Sequence, residues 1–294
     1  MGKRILFSLL IAGLMWFPAV ADEYEIVYLD GTLELKSSSG WTALAIGSTV
    51  PDNSSVRVGP GTLAELASPA TTLLLSKPGV YRLESSSNRK RQVQESAVSS
   101  IFNKIGRMGG DESREQSAVM GVRGAEADDG FGFEWVEEDT LSYNEALSAF
   151  EEGDYALAST ILEEEVDPLV LEDPTGYWYH LASAVLNSEK GSKARAMKLA
   201  VQHEGDRMSP YYDEFLLLRG RLYLESLDFD SAAEEYGAYI DTASSPQEKQ
   251  LGYYLYGYAL SNGGNSQKGR NAIERAAEID ADAEITGPAR DMLE

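Results

Sequence analysis

The chain contains no cysteine and only two histidines among its 294 residues. The absence of cysteine excludes disulfides, thiol catalysis and a lipid-acceptor cysteine. Export without disulfides is typical of a bacterial periplasm or cell surface, and it requires cores large enough to be stable unaided. The histidines, His180 and His203, lie in helical sequence, where we expect them to be packed or exposed rather than catalytic.

Long hydrophobic runs are also missing after the N-terminus. Two basic residues precede the apolar run from Ile5 to Phe17, and small residues, Pro18 to Ala21, end it. This pattern predicts a secretory signal peptide over residues 1–21, with an uncleaved anchor as the alternative. No later stretch approaches the roughly 20 apolar residues that cross a bilayer. We therefore expect an exported chain without a transmembrane segment in its mature part, located in the periplasm, with the cell surface or medium as alternatives.

Positive charge is scarce in the second half of the chain. Residues 22–125 carry 12 acidic and 11 basic side chains, whereas residues 126–294 carry 36 acidic and 12 basic ones. A surface this negative repels nucleic acid and anionic lipid, so we expect no nucleic-acid partner. It favours basic partners or serves solubility. The change in composition, together with the length, predicts two domains.

Motifs that carry catalytic chemistry are absent as well. The sequence has no G-x-S-x-G, no H-E-x-x-H and no glycine-rich phosphate loop after a strand. We therefore expect no catalytic residue, no metal and no cofactor, and we interpret the protein as a non-enzyme. A hydrolase with an unrecognised site remains an alternative.

The first half, residues 22–127, has the pattern of an all-β domain. Apolar and polar residues alternate in short runs separated by turn residues, which predicts an antiparallel sandwich or a partly open barrel. The Asp30-Gly31 pair lies between two such runs and predicts a hairpin. Residues 88–116 form a polar insertion with helical spacing in part. The predicted core consists of Trp41, Leu44, Ile46, Val56, Val58, Leu66, Leu73, Leu75 and Tyr81.

The stretch "AVMGVRGAE" returns to strand pattern at the end of this half. With "YLDGTLELKSSSGWTALAIGSTVPDNSSVRVGPGTLAEL" and "LLLSKPGVYRLE", it resembles the FecR family, the periplasmic domains first known from regulators of ferric citrate uptake. The family ends in G-V-R-G-T-E, and Ala125 stands here in place of its threonine. The predicted structural motif consists of Gly121, Val122, Arg123 and Gly124. Its two glycines allow another backbone to approach closely, and the arginine between them can donate several hydrogen bonds, so Arg123 is interpreted as a structural residue. Ferric citrate signalling is not implied, because that regulator needs a membrane-crossing segment.

The second half contains an internal repeat over residues 140–283. The unit "FLLLRGRLYLESLDFDSAAEEYGAYI" resembles the tetratricopeptide repeat, in which two antiparallel helices pack through small residues. Its frame recurs 37 residues later and 38 residues earlier, and a weaker copy precedes these, which gives about four helix pairs. The predicted frame residues are Trp178, Leu181, Ala182, Gly220, Tyr223, Ala232, Tyr236, Gly257 and Ile273. Residues 128–139 are interpreted as a linker and residues 284–294 as a cap or tail.

The repeat spacing exceeds the usual 34 residues, which predicts longer connecting turns, for example from Asp241 to Glu248. Such a stack presents a concave surface to protein partners. Candidate groove residues are Asn144, Tyr179, Arg221 and Tyr254. The sequence thus predicts a β domain followed by a helical solenoid that acts as an adaptor for protein partners, including components of the cell envelope. A ligand or signal sensor acting through the β domain is the alternative.

Overall fold

The computed structural model describes residues 23–69, 71–83, 133–189, 191–280 and 285–293, with the backbone alone for 133–138. The predicted signal peptide, the insertion at 88–116 and the motif at 121–124 lie outside the described residues. The predicted order of strands followed by helices is confirmed.

The first half consists of short antiparallel strands in two sheets. The strands are β1 (Glu23–Asp30), β2 (Leu33–Ser37), β3 (Gly40–Ala43), β4 (Thr49–Pro51), β5 (Ser55–Val58), β6 (Leu63–Ala67), β7 (Thr72–Leu75) and β8 (Gly79–Arg82). They form two four-stranded sheets, ordered β4-β1-β6-β7 and β3-β2-β5-β8. Alternate residues such as Tyr24 and Ile26 point into a core that both sheets share, because successive side chains of a strand face opposite sides.

The predicted hairpin at Asp30-Gly31 is wrong. β1 and β2 belong to different sheets, so the turn between them crosses from one sheet to the other. Gly31 has φ +110, and a Cβ placed there would lie 2.5 Å from Oγ1 of Thr62. The Thr62 hydroxyl also accepts a hydrogen bond from the Thr32 backbone N–H at 2.8 Å. Glycine is needed here because a neighbouring strand connection approaches closely, and no two-residue hairpin turn is formed.

The predicted β core is correct in part. Val56, Val58, Leu66 and Leu75 are buried, Leu44, Leu73 and Tyr81 pack at its margin, and Trp41 is half-buried with the Arg57 guanidinium 4.7 Å from its ring centroid. Ile46, in contrast, is 63% exposed. β3 has already ended at Ala43, so Ile46 lies in a turn, where strand alternation no longer determines which way a side chain faces.

The second half consists of helices in antiparallel pairs. They are α1 (Phe133–Glu151), α2 (Tyr155–Glu165), α3 (Pro174–Asn187), α4 (Lys193–Val201), α5 (Tyr212–Glu225), α6 (Phe229–Thr242), α7 (Pro246–Asn262), α8 (Ser266–Ile279) and α9 (Thr286–Asp291). α1 therefore begins inside the range 128–139 that the sequence assigned to a linker. No glycine or proline stands between Gly132 and Gly153, so nothing in the sequence interrupts the helix there.

Small residues lie where the two helices of a pair cross. Ala146 and Ala182 are fully buried at this position. At Gly220 an added Cβ would lie 2.5 Å from Cε1 of Tyr236, and at Gly257 it would lie 2.6 Å from Cγ1 of Ile273. The helices thus approach so closely that a methyl group has no room, and the aromatic or aliphatic side chain opposite fills the gap.

The longer connecting turns lie elsewhere than predicted. The extra residues are in the turns 166–173 and 202–211, between α2 and α3 and between α4 and α5. The turn from α6 to α7, predicted to be long, contains only residues 243–245. Ser245 and Glu248 form a capping box there, with the Ser245 hydroxyl accepting from the Glu248 N–H at 3.1 Å, so α7 begins at once.

The two halves pack directly against each other. Leu74 of β7 is 1% exposed and belongs to the same apolar cluster as Ala194 and Met197 of α4, with Tyr28 and Leu63 packed against that cluster. The sheet that contains β1, β6 and β7 therefore has one face on the β core and the other on the helices.

A buried carboxylate lies at the centre of this contact. Glu65 of β6 is 4% exposed, and its Oε2 accepts hydrogen bonds from the Ser192 hydroxyl at 2.6 Å and the Ala194 backbone N–H at 3.0 Å. These donors belong to the first turn of α4, whose unpaired N–H groups and helix dipole stabilise a negative charge. The β domain thus supplies an acceptor that the helix terminus requires.

Polar contacts at the margin complete the interface. Lys198 Nζ lies 2.8 Å from Asp30 Oδ2, and Lys77 Nζ lies 2.7 Å from Asp230 Oδ2. The Ser76 hydroxyl donates to the Ser226 hydroxyl at 2.9 Å. The first of these contacts reaches α4, the second reaches the first turn of α6 and the third reaches the turn between α5 and α6, so the β domain contacts two neighbouring helix pairs.

We predict opposite effects of alanine at two helical glycines. Gly220→Ala places a methyl group against the Tyr236 ring, so overpacking should lower the free energy of unfolding by about 1–3 kcal/mol. In Gly237→Ala the atom nearest to the new Cβ, Cε2 of Tyr256, is 3.8 Å away, so the methyl group has room. The higher helix propensity of alanine should then raise the free energy of unfolding by up to about 1 kcal/mol. Urea denaturation measures both variants, and effects of the same sign would contradict this packing.

We also predict that Glu65→Ala lowers the free energy of unfolding by about 1.5–3 kcal/mol, because buried donors in α4 lose a charged acceptor. The control Glu25→Ala removes an exposed carboxylate from β1 and should change it by less than about 0.5 kcal/mol. The measurement is again urea denaturation. Equal effects of the two substitutions would show that Glu65 does not contribute to the docking of the two halves.

Candidate functional site

The first helices of the pairs lie on the inner side of the stack. α3 packs against α1 and α5 as well as against its own partner α4. In a stack of helix pairs, the set of helices that contact one another from pair to pair lies on the side where the curve is tightest. Aromatic side chains of α1, α3 and the start of α5 that contact one another from pair to pair therefore lie on this inner side.

An aromatic surface covers the inner side of the first three pairs. We call it the aromatic face and define it as Tyr143 and Phe150 of α1, Tyr179 and His180 of α3, and Tyr211, which immediately precedes α5. The four side chains other than His180 are partly exposed. The rings of Tyr179 and Tyr211 stack with centroids 5.8 Å apart and planes at 18°. This stack joins the second pair to the third.

His180 is buried beneath the partly exposed rings of the face and packs against them. It is 5% exposed, and its ring meets Phe150 edge-on at 5.1 Å and Tyr211 edge-on at 4.6 Å. Its Nδ1 lies 2.6 Å from the Gly176 carbonyl oxygen, so the Nδ1–H donates a hydrogen bond to that oxygen. The Tyr143 hydroxyl lies 3.2 Å from the same nitrogen. A histidine held in this way orients its aromatic neighbours, and of the two environments expected for it, packed or exposed, the packed one is found.

Gly176 in the first turn of α3 determines how closely the parts of the face approach one another. An added Cβ would lie 2.7 Å from Asp173 Oδ2, 2.7 Å from Cδ2 of Tyr211 and 2.9 Å from the Tyr143 hydroxyl. A carboxylate, an aromatic ring and a phenol therefore converge on one point. Asp173 is fixed there because its Oδ1 accepts from the Gly176 N–H at 3.1 Å and its Oδ2 accepts from the Ser209 hydroxyl at 3.0 Å.

The phenol of Tyr143 cannot act as a base in this setting. Burial raises its pKa well above the ordinary value, and the nearby Tyr211 and Asp173 raise it further, because a second negative charge would be repelled. The hydroxyl stays protonated at every physiological pH. The chemistry that the face offers is therefore contact through aromatic rings, hydrogen bonding and the charge of Asp173, that is, binding chemistry.

The predicted groove residues have different environments. Tyr179 belongs to the aromatic face, and Asn144 is exposed on α1. Arg221 is half-buried and its Nε donates to Glu225 Oε1 at 2.9 Å. The placement of Tyr254 in a groove is wrong, because it is only 3% exposed. It belongs to the same buried cluster as Ala289 of α9, so the last helix extends the core over this position.

The predicted frame residues lie between the helices of the pairs. Five of them are buried at 2% exposure or less, namely Leu181, Ala182, Ala232, Tyr236 and Ile273. Gly220 and Gly257 are the close crossings described above, and Trp178 and Tyr223 are half-buried. These residues therefore build the stack, and they leave the aromatic face to residues outside the frame.

Sequence reasoning missed Tyr143, Phe150 and Tyr211 as members of the site. Tyr143 and Phe150 are seven residues apart, two helical turns, which is a usable signal for one face of α1. Tyr211 lies in a turn, where helical periodicity gives no information about side-chain direction.

The described residues show neither a cluster of metal ligands nor a helix that could cross a membrane. In the described residues, no three His, Asp or Glu side chains are grouped so that they could hold a metal ion. None of the helices within the described ranges combines the length and the apolar character that crossing a membrane requires.

Comparison with known proteins gives structural neighbours only. No protein-family model matches the chain, and no curated protein matches it. Among solved structures, the ArsTM double mutant of MamA from strain RS-1 has a TM-score of 0.43 at 19% identity, covering 53% of this chain and 85% of its own. MamA from strain AMB-1 has a TM-score of 0.42 at 17% identity, covering 51% and 78%. MamA from Desulfovibrio magneticus RS-1 has 0.42 at 19%, covering 53% and 85%.

The likeness to MamA lies in the helical half, and its TM-scores are too low to support any statement about function. The described helices form antiparallel pairs with small residues at the crossings and aromatic or aliphatic side chains opposite them, an arrangement that tetratricopeptide repeats share.

We predict that Gly176→Ala disrupts the aromatic face. The new methyl group would lie within 3.0 Å of the Tyr211 ring and of two polar groups, so the Tyr179–Tyr211 stack should separate and the free energy of unfolding should fall by about 1–3 kcal/mol. Near-ultraviolet circular dichroism reports the stack, and urea denaturation reports the stability. The control Gly287→Ala lies in α9 with no atom within 4 Å of its Cβ, so it should leave the circular dichroism unchanged and should not lower the free energy of unfolding.

Proposed function

We propose that the protein is an exported, non-enzymatic scaffold that binds a protein partner on the aromatic face of its tetratricopeptide-like repeats. Its β domain, which we propose to be FecR-like, contacts the cell envelope or another protein. The proposal of export rests on the N-terminal pattern of a signal peptide. The proposal that the repeats bind a partner rests on the aromatic face on the inner side of the stack.

The observation that carries the proposal is the aromatic face itself. Four large aromatic side chains stay partly exposed on the inner side, although a core position would bury far more of their apolar area. They are held in fixed orientations by the buried His180 and by the close contacts at Gly176. Fixed aromatic side chains bind with little loss of conformational entropy, which is the property of anchor residues at protein interfaces.

The interface between the halves favours sensing through the β domain as a second function. Glu65, Lys77 and Asp30 connect β strands or their turns to α4 and to the first turn of α6. A ligand that displaced β6 would remove the acceptor of the α4 N-terminus and so alter the pair that carries Tyr179. Ligand binding to the β domain would then change the affinity of the aromatic face, and a pure scaffold would show no such change.

The full-length protein tests the proposal in its own cells. A photo-crosslinking amino acid at position 179 should capture a defined protein partner, and the same substitution at the exposed Val201 at the end of α4 should not. Capture at 179 should be lost in Gly176→Ala. Equal capture at both positions, or capture that is insensitive to the aromatic face, would contradict the proposal. Fractionation of the same cells tests export, because the mature chain should begin near Asp22 and be recovered from the periplasm.

A further inference from the structure

The charge around the aromatic face is one-sided to an unusual degree. Between Glu126 and Glu189 the chain has 18 acidic residues and no lysine or arginine. This range includes α1 and α3, which carry four of the five residues of the aromatic face, and α2 between them. Exposed members flank the face directly, since Glu151 follows Phe150 at the end of α1 and Glu172 precedes Asp173. Arg195, from outside this range, pairs with Glu163 of α2, but the excess of acidic residues still makes the local potential negative.

The face itself combines the groups that recognise a cation. Asp173 Oδ2 lies beside the Tyr143 hydroxyl and the Tyr211 ring, and Tyr179 stacks on Tyr211. An aromatic ring attracts a cation to its surface through its quadrupole, and a neighbouring carboxylate adds a direct charge. The same chain uses such contacts inside its own fold, since Arg57 lies 4.7 Å from the Trp41 centroid and Arg275 lies 4.6 Å from that of Tyr253.

We infer that the partner presents a segment rich in arginine or lysine, and that the aromatic face binds a cationic side chain of it between the Tyr179–Tyr211 stack and Asp173. The inference rests on the proposed function and specifies the partner's chemistry. The acidic residues of α1 to α3 contribute the long-range attraction, and the rings contribute the contact. An acidic segment does not fit because it would be repelled, and a purely apolar segment does not fit because it would desolvate the Asp173 carboxylate without offering it a positive charge.

Labelled peptides and the full-length mature protein test this inference directly. The probe is a flexible 12-residue peptide of glycine and serine with four arginines, and the matched peptides carry four glutamines or four glutamates instead. Fluorescence anisotropy at low salt should show binding of the arginine peptide at least about fivefold tighter than that of the glutamine peptide. Binding should weaken as salt rises, because salt screens the acidic surface. The glutamate peptide should not bind.

Ring variants separate cation recognition from simple apolar contact. Tyr179→Leu keeps apolar bulk but removes the quadrupole, so the affinity for the arginine peptide should fall about two- to thirtyfold. The control Tyr256→Ala removes a partly exposed ring from α7, outside the aromatic face, and should leave the affinity unchanged. Urea denaturation of both variants establishes that they are folded. A Tyr179→Leu protein that is folded and binds like the wild type would overturn the inference.

Charge variants separate the local field from the net charge of the protein. Glu151→Lys at the end of α1 and Glu278→Lys on α8 change the net charge equally, and both positions are exposed. Only Glu151→Lys should weaken binding of the arginine peptide at low salt. Equal weakening by both would attribute binding to overall charge and would overturn the inference.

The two proposals can fail separately. If crosslinking at position 179 captures a partner while the arginine peptide binds no better than the glutamine peptide, the scaffold function stands and the cationic partner is wrong. If the arginine peptide binds as expected and no partner is captured at position 179, the chemistry of the face is correct and the scaffold function is wrong.

Discussion

The contact between the two halves includes a buried carboxylate, that of Glu65. Glu65 lies on a strand whose neighbours Ala64 and Leu66 face the β core, so alternation would place its side chain in solvent. It is buried because α4 covers that face of the sheet, and a buried charge is tolerated only where donors surround it. The Ser192 hydroxyl and the first turn of α4 are those donors. This match between a strand and a helix terminus determines where the β domain sits on the repeats.

The aromatic face follows from constraints that are equally local. Gly176 allows Asp173, Tyr143 and Tyr211 to approach one point, and His180 fixes the rings from below. The residues of the repeat frame are not used in it, because Leu181, Ala182 and Tyr236 are buried between helices. The stack is thus built by one set of residues and the binding surface by another. The surface can therefore change in evolution while the stack is retained.

Periodicity was sufficient to predict the order of strands and helices, and the small residues of the frame lie at the helix crossings, since patterning reflects which side of an element is buried. Three features could not be predicted in this way. Asp30-Gly31 resembles a hairpin turn locally, but the close approach of Thr62 is a contact distant in sequence. Tyr254 is covered by the last helix, which the repeat frame does not include. Tyr211 lies in a turn, and its partner Tyr179 is set by tertiary packing alone.

The contacts of the β domain have a mechanical consequence. A solenoid of helix pairs can bend along its length, because each pair contacts only its neighbours. Here Lys198 connects the β domain to the second pair, and Lys77 connects it to the second helix of the third pair. A rigid domain that contacts two successive helix pairs restrains bending between those pairs. The stack should therefore be stiff in its middle and compliant at both ends, and bending of the first pair would change the distance between Tyr143 and the Tyr179–Tyr211 stack.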